Sequence, residues 1–520
     1  MRFMITEHEL QSMNEEALRS LAKQFIATIG EQSQAIDEAT RTVKEKEQII
    51  AKLTFELAYH RKLRYGRKSE HLSAEQRQLF EESMDTDLAA IGAELELLTP
   101  VAPAVAQKQH PRRMQIPINL PRTEIRHEPQ SNQCSCGCQL KRIGEDVSEK
   151  LDYAPGLFSV ERHVRGKWAC TDCQTIVQAP VPAHVIDKGL PTTGLLAHVL
   201  VAKFADHLPL YRQEQIFARA GVPISRQTLS DWVGVCGVQL QPLVDALKAA
   251  VLKHDILHAD ETPVSMLKPN NGKTHRAYIW AYSPGQFESL KAVIYDFTET
   301  RAGKHARDFL GGWKGSILVD DFAGYNALFT QGITELGCMA HARRKFHDLY
   351  EANGSEIAQQ ALVIIAHLYD IERETRTLEP DERWRIRQTK AKPIMEKFYG
   401  WLALQRSKAT DGTAIARALD YSLKRWDALV RYLDNGCIPI DNNYVENRIR
   451  PIAIGRSNWL FAGSLRAGQR AAAAMSLIQS AKLNGHDPYA YLKDVLTRLP
   501  TQPYRKITEL LPHNWKPQTA

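Results

Sequence analysis

Between residues 253 and 320 the hydrophobic pattern changes its period, and no other feature limits the fold of this chain as much. The segments "KHDILHAD", "HRAYIWAYS" and "KAVIYDF" are short, β-branched and aromatic-rich, which is strand composition. A helical "GKHARDFLGG" and a further strand, "GSILVDDF", follow. The order is three strands, one helix, one strand. Around this block the pattern is helical, over 188–250, over 340–435 (for example "EIAQQALVIIAHLYDIERE") and over 464–500. A sheet framed by so much helix places the chain in the multidomain α+β class.

The chain has 520 residues and is 43% hydrophobic, enough for about two to four domains and at least one sizeable core. Its net charge of +7 favours an anionic partner only weakly. No apolar run approaches a bilayer span, and the N-terminus "MRFMITEHEL" has no apolar core segment. The expectation is a soluble cytoplasmic protein with no membrane partner.

Residues 1–97 read as an N-terminal helical region. Ile29, Ile36, Val43, Ile50 and Leu57 recur every seven residues, whereas the second seam is filled only in part, by Phe25 and Leu53. Either a short coiled coil or an amphipathic helix packed on its own chain fits this pattern. Arg61, Lys62, Arg64, Arg67 and Lys68 follow, as a solvated face or a grip on phosphates. Residues 98–130 carry six prolines and read as a linker.

Residues 131–187 hold five of the eight cysteines: Cys134, Cys136 and Cys138 in "CSCGC", and Cys170 and Cys173 in "CTDC". In a reducing setting such a cluster points to structural zinc held by four of the five, with His163 and His127 in reserve. Four protein ligands leave no open position for catalysis. Residues 188–250 contain a helix-turn-helix candidate, "YRQEQIFARAGVPISRQTLSDWV". Ala218 is small where two helices approach, Gly221 permits the turn, and Ser225 caps the second helix. Leu229 and Trp232 then face inward, and Arg226, Gln227 and Ser230 face outward, as a major groove would need. The same geometry also occurs in plain helical bundles.

Asp260 ends the first strand, in "LHADET", and Asp320 ends the fourth, in "ILVDDFAGYN". Two strands ending in aspartate within one sheet can bring both carboxylates together. Glu261 and Asp321 compete with them, and alternation along a strand lets only one of each pair reach a shared site. Glu446 lies in "DNNYVENRIRPIAIGRSNWLFAG". With Asn443 it approximates a capping box, and Pro451 should end the helix soon after. Alternatively it joins the two aspartates around divalent cations, where ions roughly 3.5–4 Å apart act on a phosphodiester. Arg448, Arg450 and Arg456 suit phosphates. Trp459 and Phe461 could stack on a base or pack in a core. Cys338 and His341, in "GCMAHARRKF", have metal-like spacing but no second pair nearby, and a buried thiol explains Cys338 equally well. Arg343, Arg344 and Lys345 follow them as another cationic cluster.

Together these segments resemble the large, TnpC-type transposases of the bacterial insertion-sequence-sixty-six family, which are DDE transposases. The resemblance covers nearly the whole chain and rests on "LRYGRKSE", "GEDVSEKLDYAP", "RHVRGKWACTDCQTIVQAP", "HADETP", "DDFAGYN", "GCMAHARRKF", the long segment containing Glu446, and "SLIQSAKLNGHDPYAYLKDVL". It implies a ribonuclease-H-like α/β catalytic core over 251–463, with a helical insertion over about 340–435, and a C-terminal helical segment over 464–520. It implies Asp260, Asp320 and Glu446 as the catalytic triad, holding Mg²⁺ or Mn²⁺, with Cys338 and His341 as the Cys-x-x-His signature. It implies cleavage at element ends and strand transfer into target DNA, by a homo-oligomer in the nucleoid, with companion proteins of the same element as further partners. The alternative is a non-catalytic DNA-binding regulator or a decayed transposase. Two positions depart from the family pattern: Gln133 stands where a first zinc-module cysteine would align, and Asp321 replaces a glycine after the second acid.

Overall fold

The computed structural model describes residues 15–65, 74–98 and 116–517, apart from 130, 132, 135–137, 155, 187–188, 268–273 and 460. The chain divides into two compact units, residues 1–66 with 91–108 and residues 67–90 with 109–520.

The first unit holds α1 (Glu15–Tyr65) and the end of α2 (Ala74–Leu98). Ile29, Ile36 and Val43 are 63%, 65% and 55% exposed. Further along the same pattern Ile50 and Leu57 are partly buried and Leu53 is buried. Of the basic cluster that follows, Arg61 is exposed; the side chains of Lys62 and Arg64, and all of Arg67 and Lys68, lie outside the described residues.

The second unit opens with a small sheet of β1 (Arg122–His127), β2 (Leu140–Ala154), β3 (Leu157–Cys170) and β4 (Ile176–Gln178). The order is β1-β3-β2, with β4 also on β3. β1 corrects the linker reading of 98–130. Its only large apolar residue is Ile125, so no periodicity announces it, and parallel pairing with β3 supplies its hydrogen bonds. β2 and β3 form a long antiparallel hairpin from Leu140↔Cys170 to Ala154↔Leu157. Leu151, Tyr153, Phe158 and Val160, near the turn, are buried in the main core.

Helices α3 (Thr193–Phe204), α4 (Leu210–Arg219) and α5 (Arg226–Val251) come next. Then β5 (Ile256–Leu267), β6 (Thr274–Pro284), β7 (Ile294–Thr298), α6 (Lys304–Leu310), β8 (Ser316–Val319), the single-turn α7 (Asn326–Phe329) and β9 (Thr334–Gly337) build a five-stranded sheet in the order β7-β6-β5-β8-β9. β5, β6 and β7 are antiparallel neighbours, and β5, β8 and β9 run parallel. Strand alternation sorts the apolar residues onto two faces. Leu257, Ala259, Ile317 and Val319 belong to the main core with α5, whereas Ile256, Leu318 and Leu336 belong to a second core.

That second core is the helical insertion: α8 (Met339–Asn353), α9 (Glu356–Thr375), α10 (Pro380–Ile386), α11 (Lys392–Lys408), α12 (Ala414–Lys424) and α13 (Trp426–Val430). Its hub is Arg387, fully buried, which makes paired bonds to Glu372 (2.8 and 2.6 Å) and donates to the carbonyls of Tyr432, Asn435 and Ile438. Those carbonyls lie in the loop that leads into α14 (Asn443–Trp459). α15 (Leu465–Leu483) and α16 (Pro488–Arg498) close the main core. Ser476 and Ser480 of α15 accept the amides of Tyr295 and Val293 (2.8 and 3.0 Å), so the β7 edge is covered rather than left to pair with another chain.

Pro451 does not end α14, which runs eight residues further to Trp459. The proline removes one backbone hydrogen bond. Buried Ile452 and a 2.5 Å bond from Arg456 to the Pro263 carbonyl hold the second half of the helix on β5.

Candidate active site

β5 and β8 are parallel, with His258 opposite Leu318. Asp260 and Asp320 each lie two residues further on. They therefore point to the same face, about one strand spacing (~4.8 Å) apart. Asp260 is not the end of its strand, as the sequence suggested: β5 continues to Leu267 because β6 pairs with it throughout, Asp260 opposite Ala281. Asp320 does lie just beyond β8, where its Oδ1 accepts the Phe322 amide at 3.0 Å.

The neighbouring acids have partners of their own. Glu261 has a buried side chain that accepts from Arg301 Nε (2.8 Å) and the Tyr325 hydroxyl (2.9 Å), and Arg301 also lies 3.9 Å from Asp320, so Glu261 stays electrostatically linked to both aspartates. Asp321 pairs with Arg425 of the insertion, which also donates to the Asp320 carbonyl at 3.2 Å.

Glu446 lies in the first turn of α14. The expected capping box is absent. Asn443 is inside the helix, and its amide and side-chain nitrogens donate to Asp441 (3.0 and 2.8 Å), while the Glu446 amide bonds the Asn442 carbonyl. The Glu446 carboxylate is thus free of capping. Its Oε1 lies 3.7 Å from His341 Nδ1 and its Oε2 3.7 Å from Arg344, and the buried Oε1 has no hydrogen-bond partner. Cys338, His341 and Glu446 bring ligand atoms within 4.8 Å of one another. Cys338 is buried, its thiol pushed up to about 12 by desolvation, and its sulfur accepts the Asn442 amide at 3.2 Å.

Burial, and then the charges of Glu261, Glu446 and Asp320, raise the Asp260 carboxyl well above the ordinary range. Among the described residues Asp260, Asp320 and Glu446 do not all bring ligand atoms within 4.8 Å of one another, but carboxylates that feel one another's charge suit a hard divalent cation, which prefers oxygen ligands and would relieve their repulsion.

The expected DNA-contacting residues divide into two sets. Arg343 and Arg344 on α8, Arg450 on α14 and Gln227 on α5 are exposed. Ser230 is fully buried, contrary to the outward placement expected. The cause is α2, which packs against α5 so closely that a Cβ on Gly234 would meet the Thr86 carbonyl at 2.6 Å. Arg226 is taken by Glu81 of α2 at 3.0 Å. Ala218 is exposed rather than at a helix crossing. Arg448 stacks on Tyr444 and donates to its carbonyl, and Arg456 ties α14 to β5. Trp459 is half-buried, donating to His207 at 3.3 Å and packing on the main core, and Phe461 is buried, so neither presents an open stacking face.

Two residues went unnoticed in the sequence, His258 and Asn442. Both are completely buried, and they bond to each other at 2.8 Å beside the acids. The paired asparagines ahead of Glu446 were the available signal.

Away from this site, Cys134, Cys170 and Cys173 converge with sulfurs within 4.8 Å of one another. Hydrogen bonding, chiefly with Thr175, draws the Cys173 thiol down to about 6. Cys136 lies outside the described residues. Cys138 packs against this cluster and donates to Asp172 at 2.7 Å, and His127 and His163 bond each other at 3.0 Å; the three ligand atoms within 4.8 Å of one another are those of Cys134, Cys170 and Cys173. Converging sulfurs, one of them acidified, suit structural zinc.

Comparison with known proteins agrees with this layout. The profile "Transposase IS66 family" matches residues 188–470 and "IS66 C-terminal element" matches 476–513. "Zinc-finger binding domain of transposase IS66" matches 131–174, and "Transposase C of IS166 homeodomain" matches 52–125. Among similar proteins, y4jD of Sinorhizobium fredii is 35% identical over 499 residues, covering 92% of this chain and 98% of that protein. y4qI of the same organism is 36% identical over 492 residues, covering 91% and 90%.

Proposed function

The chain belongs to the IS66 family of transposases, and from that premise we propose that it cuts and joins DNA at the site formed by Asp260, Asp320 and Glu446. The observation that carries this reading is the electrostatic link between acids on three elements: burial first, and then the charges of Glu261, Glu446 and Asp320, raise the Asp260 carboxyl. The sheet order, with three antiparallel strands followed by two parallel ones, supports a ribonuclease-H-like reading. When bound, two Mg²⁺ ions would activate the attacking oxygen and stabilise the leaving one. The three carboxylates would hold those ions. Exposed Arg343 and Arg344, with Arg344 3.7 Å from Glu446, set the scissile phosphate against the acids. Water is the nucleophile for cleavage at the element end, and the freed 3′ hydroxyl then attacks target DNA in line. The exposed stripe on α1 is the surface that a second copy would cover in the assembled complex.

Glu446→Ala should abolish Mg²⁺-dependent cleavage of element-end DNA while leaving end binding intact in a gel-shift assay. Cleavage retained by that variant would remove Glu446 from the site. Arg344→Ala should weaken DNA binding uniformly across sequences, and should reduce the slope of log K against log salt by about 0.9. An unchanged slope would mean that Arg344 touches no phosphate.

A further inference from the structure

The acids assigned to the proposed site come from elements far apart in the chain, and one buried contact links two of those elements, β5 and the start of α14. Asn442 immediately precedes α14; its carbonyl accepts the first amides of that helix, and its side chain and amide are directed at neighbouring elements. Its Oδ1 accepts from His258 Nδ1 at 2.8 Å, its Nδ2 donates to the Ala259 carbonyl at 2.8 Å, and its backbone amide donates to Cys338 Sγ at 3.2 Å. Neither Asn442 nor His258 has any exposed surface.

The spacing makes this contact directive. His258 and Asp260 are two residues apart on β5, on the same face, a rise of about 6.8 Å. Asn442 and Glu446 are four residues apart along the helix start, a rise of about 6 Å. Fastening Asn442 to His258 therefore brings Glu446 level with Asp260. The Cys338 bond sets the start of α8 against the same point, and three residues later His341 stands beside Glu446. The His258 ring also lies against Tyr444, with centroids 5.3 Å apart, which fixes the ring's orientation.

We infer that Asn442 and His258 form a clasp that positions Glu446 against Asp260, so that both are positioning residues for the metal-binding acids. This rests on the function proposed above. Buried polar partners behind ligands typically change metal affinity by about 10–100-fold when lost.

The test is Mn²⁺ affinity, measured by calorimetry on the full-length protein, with melting temperature read on each variant. Asn442→Ala removes both side-chain bonds. His258→Phe keeps the ring against Tyr444 and removes only the donor. His258→Asn keeps a donor near the position of Nδ1. The expected result is an affinity loss of about 10–100-fold for Asn442→Ala and His258→Phe in protein that still melts cooperatively, with most of it restored in His258→Asn. If His258→Phe lowers the melting temperature yet binds Mn²⁺ as the wild type does, the clasp is only a brace and the inference fails. If Asp260→Asn and Glu446→Gln also leave Mn²⁺ binding unchanged, the metal-site reading itself fails and takes the clasp with it. Loss in those two variants but not in the clasp variants overturns the clasp alone.

Discussion

Asp260→Asn should lower metal-dependent strand cleavage by at least about a thousandfold and, in metal-free protein at neutral pH, raise the melting temperature. Both effects have one origin. Folding buries the Asp260 carboxyl and sets it beside Glu261, Glu446 and Asp320, so its folded pKa lies above its unfolded value. Between those two values the native state binds more protons than the unfolded state, and stability falls as pH rises through the window. Above the folded pKa the full deficit remains; below the unfolded value it vanishes. An uncharged amide of the same shape escapes it, so the stabilisation should be present at pH 8 and absent near pH 3. The same linkage makes cation binding release protons, so Mg²⁺ affinity should increase with pH until Asp260 is ionised. Thermal melts of wild type and Asp260→Asn, with and without Mg²⁺, check this. Stabilisation by Mg²⁺ in the variant equal to that in the wild type would contradict the assignment.

Chelation of zinc, or Cys170→Ser, should unfold the open end of the β2–β3 hairpin, where Leu140 pairs with Cys170, while the rest of the second unit stays folded. Cys170 is the last residue of β3 and is buried with Cys134 and Leu140 in a core of very few residues. So small a cluster cannot stabilise itself by apolar burial, whereas structural zinc contributes about 10–16 kcal/mol of apparent binding free energy in isolated finger peptides. Hydrogen exchange should show lost protection at both strand ends, near Leu140 and Cys170. Protection should persist at Leu151 and Val160, which belong to the main core. Unaltered exchange at Cys170 after zinc removal would show that the open end of the hairpin does not depend on metal.

The strands that carry the two aspartates were legible because β-branched and aromatic residues interrupt a helical chain. Which strands pair was not, because pairing is settled by contacts distant in sequence. β9 has only four residues, Thr334 to Gly337, too few to show a period. Ser230 illustrates a different limit. The Leu229 and Trp232 positions correctly marked an inward face, but α5 is covered on a second side by α2, and a helix's own sequence does not say how many neighbours it has. Glu446 was visible as an acid at a helix start. That it is not spent on capping depends on Asp441, whose carboxylate takes the donors of Asn443 and also accepts the Tyr369 hydroxyl of α9 at 2.8 Å. Pro451 was read by its usual effect, and contacts with β5 override it.

The Arg387 hub carries a consequence for the order of synthesis. Asp260 and Asp320 leave the ribosome early, but the loop held by Arg387 and the helix that brings Glu446 follow only after the whole insertion. Chain growth at about 5–20 residues per second therefore separates the first acid from the third by roughly 10–40 seconds. On the proposed function, the nascent chain would hold an incomplete site during that interval. Cleavage competence would then arrive only once the insertion has packed and Arg387 has gathered the loop, and the long insertion would act as a delay between making this protein and arming it.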